Sequence, residues 1–274
     1  KKEGFKVVRR NIIGFKWNAL RFALRYVKTK YVVFLDDDTV VEKGKDFNVL
    51  AGELEEADAD LCSVNVYAYN KDNWIEKLQD IEYKTSMLAR RNRKWLTSGA
   101  CICAKKSAMQ EILRKHSGFR EGGDIEIGLI AKRMKKKIIH SEFTVYTEIP
   151  NTFKKWFKQR IYWLGGNFRH SIINFGKQSP DFIYIFYFAF LIWGHLLIRF
   201  YYLIFQPLVL LLIMLLYIPI TFISNIMIFK KILNPMMFLY PLYAIFQVMI
   251  ISVFGIGWYV YSAYEQKNFG RIKI

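Results

Sequence analysis

Hydrophobic and polar positions change their rhythm along the 274-residue chain. Up to about Lys177, charged and apolar stretches alternate as they do in a water-facing domain, and after Asp181 the chain is nearly all apolar. Within the first part, Phe5 to Val8 reads as a short strand, and Lys16 to Val27 repeats Leu20, Ala23, Leu24 and Val27 on one helical face. The run Tyr31-Val-Val-Phe-Leu35 is an apolar stretch of strand length and reads as buried. Strand, helix, strand predicts a βαβ unit, whose acidic end Asp36-Asp37-Asp38 lies at the carboxyl edge, where open α/β sheets bind ligands. The spacing then predicts a surface helix over 47–56, an alternating strand over 61–69 and a longer helix over 73–89 with Trp74, Leu78, Ile81 and Met87 apolar. Small residues from Thr97 to Ala100 lead into another strand, and Glu121-Gly122-Gly123-Asp124 opens a helix through Ile127, Ile130 and Met134.

From Asn151 to Lys177 the rhythm is that of a helix lying in a membrane interface. Phe153, Trp156, Phe157 and Ile161 share a face with lysines opposite, and the stretch has no acids. Three apolar segments follow, Phe182–Phe205, Pro207–Phe229 and Met236–Tyr261, each long enough to cross a bilayer. If Lys177 is cytosolic, three crossings put Lys230 and Lys231 correctly inside but leave Lys267, Arg271 and Lys273 outside, against the positive-inside tendency. Either one segment is re-entrant or interfacial, or the last breaks near Gly255-Ile256-Gly257. His195 and Arg199, four residues apart, should face protein or water, pairing within the bundle or lining a polar path. The domain organisation expected is therefore a cytosolic catalytic domain over 1–150, an interface helix region over 151–177, transmembrane helices over 178–264 and a basic tail over 265–274.

Composition narrows this further. The formal charge is +18 with 53% hydrophobic residues, and the basic residues of the Asn151–Lys177 stretch imply attraction to anionic membrane lipid. Nucleic acid is not expected, because the basic run Lys132-Arg133 and Lys135-Lys136-Lys137 has no interleaved aromatics and is accounted for by a helix C-terminus. Cys62, Cys101 and Cys103 have neither Cys-x-x-Cys spacing nor a nearby His, which disfavours zinc or a disulfide framework and predicts buried thiols in a reducing cytosol. Lys1 to Arg10 is charged and does not read as a signal peptide.

Two groups of residues can carry chemistry. Three adjacent aspartates repel one another unless they form a solvated turn or meet a cation, and Mg²⁺ or Mn²⁺ on Asp36 and Asp38 would suit a metal-bound diphosphate. Lys16, at a helix entry whose N–H groups favour anions, falls near the same crevice. Asp124 reads either as a helix N-cap or as a general base on a flexible turn.

Taken in order, several motifs resemble membrane-integrated family 2 glycosyltransferases, the group that includes cellulose, chitin, hyaluronan and poly-N-acetylglucosamine synthases. Gly14-Phe15-Lys16-Trp17-Asn18-Ala19-Leu20 is similar to that family's Gly-Lys-x-x-Ala-Leu, and Leu35-Asp36-Asp37-Asp38-Thr39 to its Asp-x-Asp. Thr97-Ser98-Gly99-Ala100 resembles the segment at its acceptor end, and Gly123-Asp124 stands where it has Glu-Asp. Thr147-Glu148-Ile149-Pro150 matches its Thr-Glu-x-Pro, and Gln159-Arg160-Ile161-Tyr162-Trp163 its Gln-x-x-Arg-Trp. The resemblance covers nearly all of residues 5 to 174. It departs from the family at Gly123, where a Glu is usual, and at Tyr162, where an Arg is usual; the chain also starts near the family's third strand, so the uridine-binding strands would lie upstream.

The resemblance implies an α/β, GT-A-like (Rossmann-like) domain, partial, followed by an interfacial helix and transmembrane helices. It implies inverting transfer from a nucleotide-sugar donor, of the UDP-sugar type, to a growing polysaccharide extruded through the membrane domain. Asp36 and Asp38 would bind Mg²⁺ or Mn²⁺, Lys16, Asp36 and Asp38 the nucleotide-sugar, and Ser98, Gly99, Gln159, Arg160 and Trp163 the acceptor, with Asp124 as catalytic base. The expected place is a cytoplasmic membrane with the catalytic domain on its cytosolic side. Alternatives are single-sugar transfer to a lipid acceptor, such as a polyprenyl phosphate or a ceramide-like lipid, and a non-catalytic membrane subunit.

Overall fold

A computed structural model describes residues 16–173 and 195–267. The strand expected over Phe5–Val8, the first part of the apolar segment Phe182–Phe205 and the basic tail beyond Lys267 lie outside the described residues. Among the described residues, five strands form one mixed sheet: β1 (Tyr31–Leu35), β2 (Thr39–Val41), β3 (Leu61–Ala68), β4 (Cys101–Lys105) and β5 (Ile138–Thr147), in spatial order β1-β4-β3-β5-β2. Only β3 and β5 run parallel; β1 pairs antiparallel with β4, as β4 does with β3 and β2 with β5.

Helices cover both faces. On β4, Ile102 and Ala104 point to one face and Cys101 and Cys103 to the other, the two-residue period of a strand. The first face is packed by α1 (Lys16–Ala23), α4 (Lys106–Lys115) and α5 (Gly123–Arg133) through Met109, Ile112, Leu113 and Ile127. The second is packed by α2 (Asn48–Glu56) and α3 (Trp74–Asn92) through Leu50, Leu54 and Met87. All three cysteines are free and buried, and burial pushes their thiols well above the ordinary range. Asn73 caps α3 reciprocally with Glu76, accepting from the Glu76 N–H at 3.1 Å while Glu76 accepts from the Asn73 N–H at 3.1 Å.

After β5 the chain enters α6 (Phe153–Ile173), then α7 (His195–Phe205), α8 (Pro207–Phe229), a 3₁₀ turn over Pro235–Phe238, α9 (Tyr240–Phe246), a π-helical turn over Gln247–Ile251 and α10 (Ser252–Lys267). Among the described residues, two continuous helical stretches are long and apolar enough to cross a membrane, Pro207–Phe229 and Tyr240–Gln266. The break anticipated at Gly255-Ile256-Gly257 does not occur. The chain remains helical there, because Gly255 is where the backbone of α6 passes: a Cβ on it would lie 3.1 Å from the Gly165 nitrogen. The irregularity falls instead on the π turn, where the Arg199 guanidinium donates to the Val248 carbonyl.

Candidate active site

β1 delivers Asp36 to the sheet edge, where its N–H donates to the Ala100 carbonyl at 3.0 Å and its carbonyl accepts from the Thr39 N–H at 3.1 Å. This tight turn sets Asp36 and Asp38 on either side of the exposed Asp37. The Lys16 ammonium, from the first residue of α1, bonds the Asp36 carboxylate and also the Gly99 carbonyl, the latter at 2.8 Å. The Gly99 N–H in turn donates to Asp124 Oδ2 at 3.1 Å. Four residues predicted from the sequence, from four separate parts of the chain, thus meet in one chain of contacts: Asp36, Lys16, Gly99, Asp124.

Asp124 is not an N-cap. Gly122 caps α5 in the left-handed conformation at φ 68°, and the Asp124 carboxylate, released from capping, reaches Gly99. Its backbone carbonyl accepts from Thr97 Oγ1 at 2.5 Å, which ties the small-residue segment to α5. Close approach demands another glycine here, since a Cβ on Gly128 would fall 1.6 Å from the Trp95 carbonyl oxygen. The glycine at position 123 also has a physical cause: the Trp17 indole lies where a side chain would be, 1.8 Å from the ideal Cβ. A glutamate at 123 and a tryptophan at 17 exclude each other.

Asp38 is oriented by Thr39 and Thr147, whose hydroxyls each donate to its Oδ1 at 3.2 Å. Burial, with Asp38 and Asp37 nearby, raises the Asp36 carboxyl above its usual range, and Lys16 only partly opposes this. The charge at this edge therefore favours a further cation. Among the described residues no three His, Cys, Asp or Glu side chains converge into a cage, but two carboxylates suit an Mg²⁺ or Mn²⁺ ion that keeps phosphate and water in its shell.

The acceptor residues expected from the sequence divide. Trp163 is 42% exposed, packs at 6.2 Å on Tyr83 and carries the Arg160 guanidinium at 4.1 Å from its ring centre. It is an accessible aromatic platform. Burial pushes the Tyr83 hydroxyl beneath it up to about 12. Arg160 is turned inward: it is 1% exposed, with Glu82 accepting at 2.6 Å and Gln159 at 2.5 Å. Gln159 is spent on that contact, and the Ser98 hydroxyl accepts from the Ala100 N–H at 3.3 Å, within its own turn. Tyr162 packs against Trp258 with ring centres 4.4 Å apart and planes tilted by 39°, and Arg120 lies 6.0 Å from its ring.

Several supporting residues had no motif to announce them. His116 Nε2 donates to the Gly123 carbonyl at 2.9 Å, its Nδ1 accepting from Gly118, and His170 Nε2 donates to the Gly122 carbonyl at 2.7 Å. Glu126 accepts from Arg169 at 3.0 Å and from the Ser117 N–H at 2.8 Å. Burial opposes its charge, but His116, Arg169 and Ser117 outweigh it and hold the carboxyl down to about 2. A polar residue one helical turn into a catalytic segment is a signal for such bracing, though not for its partner.

A family model described as glycosyl transferase family group 2 matches residues 31–257, from the strand that carries Asp36 into α10. No curated protein matches the chain. The match spans most of the sequence.

Proposed function

We propose, for a chain that belongs to glycosyl transferase family group 2 and is a glycosyltransferase, that Asp124 is the base of an inverting transfer from a nucleotide-sugar, with a growing polysaccharide as acceptor. The observation that carries this is the continuous contact from Asp36 through Lys16 and Gly99 to Asp124. It sets a diphosphate-binding edge beside a carboxylate able to take a proton. Lys16 and the α1 N-terminus bind the diphosphate. Asp124 removes the proton from the acceptor hydroxyl as that oxygen attacks the anomeric carbon, and the bond to the diphosphate breaks with its electron pair leaving on the nucleotide. Trp163 stacks on the acceptor sugar and orients it. The family generally uses a divalent metal; held by Asp36 and Asp38, it would neutralise charge on the leaving diphosphate.

The apolar helices support membrane attachment, and on this reading the catalytic domain lies on the cytosolic side with the polymer leaving between the helices; α6 turns Trp156, Phe157 and Ile161 onto Tyr243, Phe246 and Ile251 and leaves its lysines outward. Tyr162, packed against Trp258 where the resembling synthases carry an arginine, favours a second reading, transfer of one sugar to a lipid acceptor.

The test is turnover of UDP-sugars by the full-length membrane protein with Mn²⁺, with product length measured. Asp124→Asn should lower kcat about 10²- to 10⁴-fold. Equal turnover would reject Asp124 as the base, and one sugar per acceptor would replace the polymer by the lipid product. Trp163→Ala should raise the acceptor KM and leave the donor KM unchanged.

A further inference from the structure

Helix α10 reaches the catalytic turn directly. Trp258, Ser262 and Gln266, four residues apart, form one stripe, and all three bond Glu121, three residues before Asp124. Trp258 Nε1 donates to Glu121 Oε1 at 3.0 Å; Ser262 Oγ and Gln266 Nε2 donate to Oε2 at 3.0 and 3.1 Å. Arg120 Nε adds a donor to Oε1 at 2.7 Å, and its own N–H donates to Gln266 Oε1 at 3.0 Å. The Glu121 carboxylate is 6% exposed and Ser262 and Gln266 are fully buried. A carboxylate so desolvated persists only because its lone pairs are met. The next residue is Gly122, whose left-handed backbone is clamped between His170 and Gly166: a Cβ on Gly166 would lie 2.8 Å from the Gly122 nitrogen. Nothing between Glu121 and Asp124 is left to absorb a shift.

The same helical stretch touches the catalytic domain along its whole length. Asn234, just before it, donates to the Lys77 carbonyl at 3.3 Å, and Tyr243 accepts from Trp156 Nε1 at 2.8 Å and bonds Glu82. Phe246 stacks on Trp156, Phe254 meets Phe157 edge-on and Gly255 abuts Gly165. Its opposite side is an exposed apolar stripe of Ile250, Val253, Phe254, Val260, Tyr261 and Tyr264. Twenty-seven residues span roughly 40 Å, and both ends rest on the same domain.

We propose that Tyr240–Gln266 does not cross the membrane but lies along the catalytic domain, outer stripe on lipid, as the helix that positions the Asp124 turn, with Glu121 as the positioning residue through which it acts. This rests on Asp124 being the base. It also removes the conflict of charge: with Phe182–Phe205 and Pro207–Phe229 as a pair of crossings, Lys230, Lys231, Lys267, Arg271 and Lys273 all share the side of Lys177.

The test uses the full-length protein in sealed vesicles. Lys273→Cys should react with an impermeant maleimide from the side on which Glu53→Cys reacts; reaction only from the opposite side overturns the proposal. Gln266→Leu and Glu121→Gln should lower kcat per folded molecule about 10- to 100-fold, keep the donor KM within about twofold and move the acidic limb of the pH–rate profile, with Glu121→Ala worse than Glu121→Gln. An unchanged kcat, or a loss accounted for by the folded fraction alone, overturns it. Activity retained in Asp124→Asn would sink the base assignment separately, because the labelling reports on the helix regardless.

Discussion

Helix α8 and the stretch from α9 to α10 are almost interchangeable by composition, and the fold treats them differently. In α8 only Leu210 and Asn225 are buried, and apolar side chains from Leu208 to Ile228 are exposed around the helix. Such a helix buries little of itself against the described residues and suits lipid over most of its surface. From Tyr240 to Gln266, Tyr243, Ile251, Ser262 and Gln266 are buried on one side and the apolar stripe lies on the other. Length and hydropathy establish that a segment tolerates lipid. What it packs against establishes whether it crosses.

The sharpest way to break this contrast is a charge on each outer face. Ile220→Arg, at the middle of α8, should cost about 3 kcal/mol of insertion, whereas Val260→Arg, 62% exposed in its native form, can reach the headgroups. Alkaline carbonate extraction should therefore release the first variant and not the second. Equal release would mean that both helices cross.

Next is Gly255→Leu. Its Cβ would meet Leu164 Cβ at 3.0 Å and the Gly165 nitrogen at 3.1 Å, both on α6. Overpacking should cost about 2 kcal/mol and, by prising α10 from α6, reduce turnover as well as the melting temperature. Leu212→Ala in α8 should leave turnover unchanged. An active, unshifted Gly255→Leu would show that the α6–α10 contact is dispensable.

Much of this was legible beforehand, for a physical reason. Strands and helices carry local periods, so α1, α2, β3, α3 and α5 lie within a few residues of expectation. Lys16, Asp36, Gly99 and Asp124 could be named because each ends or opens such an element. β5 and α4 were missed, the first because Ile138–Thr147 mixes His140, Ser141 and Glu142 into a strand, the second because it follows β4 without a break. The inward turn of Arg160 was not legible because the motif gives its spacing but not Glu82, which lies 78 residues away in sequence and neutralises it. The Glu121 cluster was unreadable for the same reason: its partners are more than 130 residues downstream.

Tyr243→Phe sharpens the contrast at the other end of the stretch. The hydroxyl accepts from Trp156 and bonds the Glu82 carboxylate, so its loss leaves a buried indole N–H and a charge short of a partner. About 1.5 kcal/mol of stability should go, read as a lower melting temperature in detergent. Tyr217→Phe in α8, 41% exposed, should have no measurable effect.

The smallest effect is an acid one, and it separates the two helices by pH alone. Burial first, then the adjacent Arg169, lowers His170 to about 4, against an ordinary 6.5, and burial lowers His116 as well. A histidine kept neutral by the fold contributes nothing that varies above pH 6.5. Below it the unfolded chain gains the proton first, so the stability is lost progressively as pH falls toward 4. The folded Glu126 carboxyl, held at about 2, keeps its charge there, and the stability it contributes is lost only at lower pH, as the unfolded chain takes up the proton around its ordinary 4.5. Between pH 7 and 5.5, His170 alone should cost about 1 kcal/mol, loosening the clamp on Gly122 and the base of α6 on which α10 rests. Melting followed by proteolysis should show α10 becoming cleavable at pH 5.5 while α8 stays protected. His170→Gln, which retains a donor toward Gly122 but cannot titrate, should flatten the dependence. If that variant keeps the full acid sensitivity of the native chain, the titration lies elsewhere, and the turn before Asp124 is not what the histidines protect.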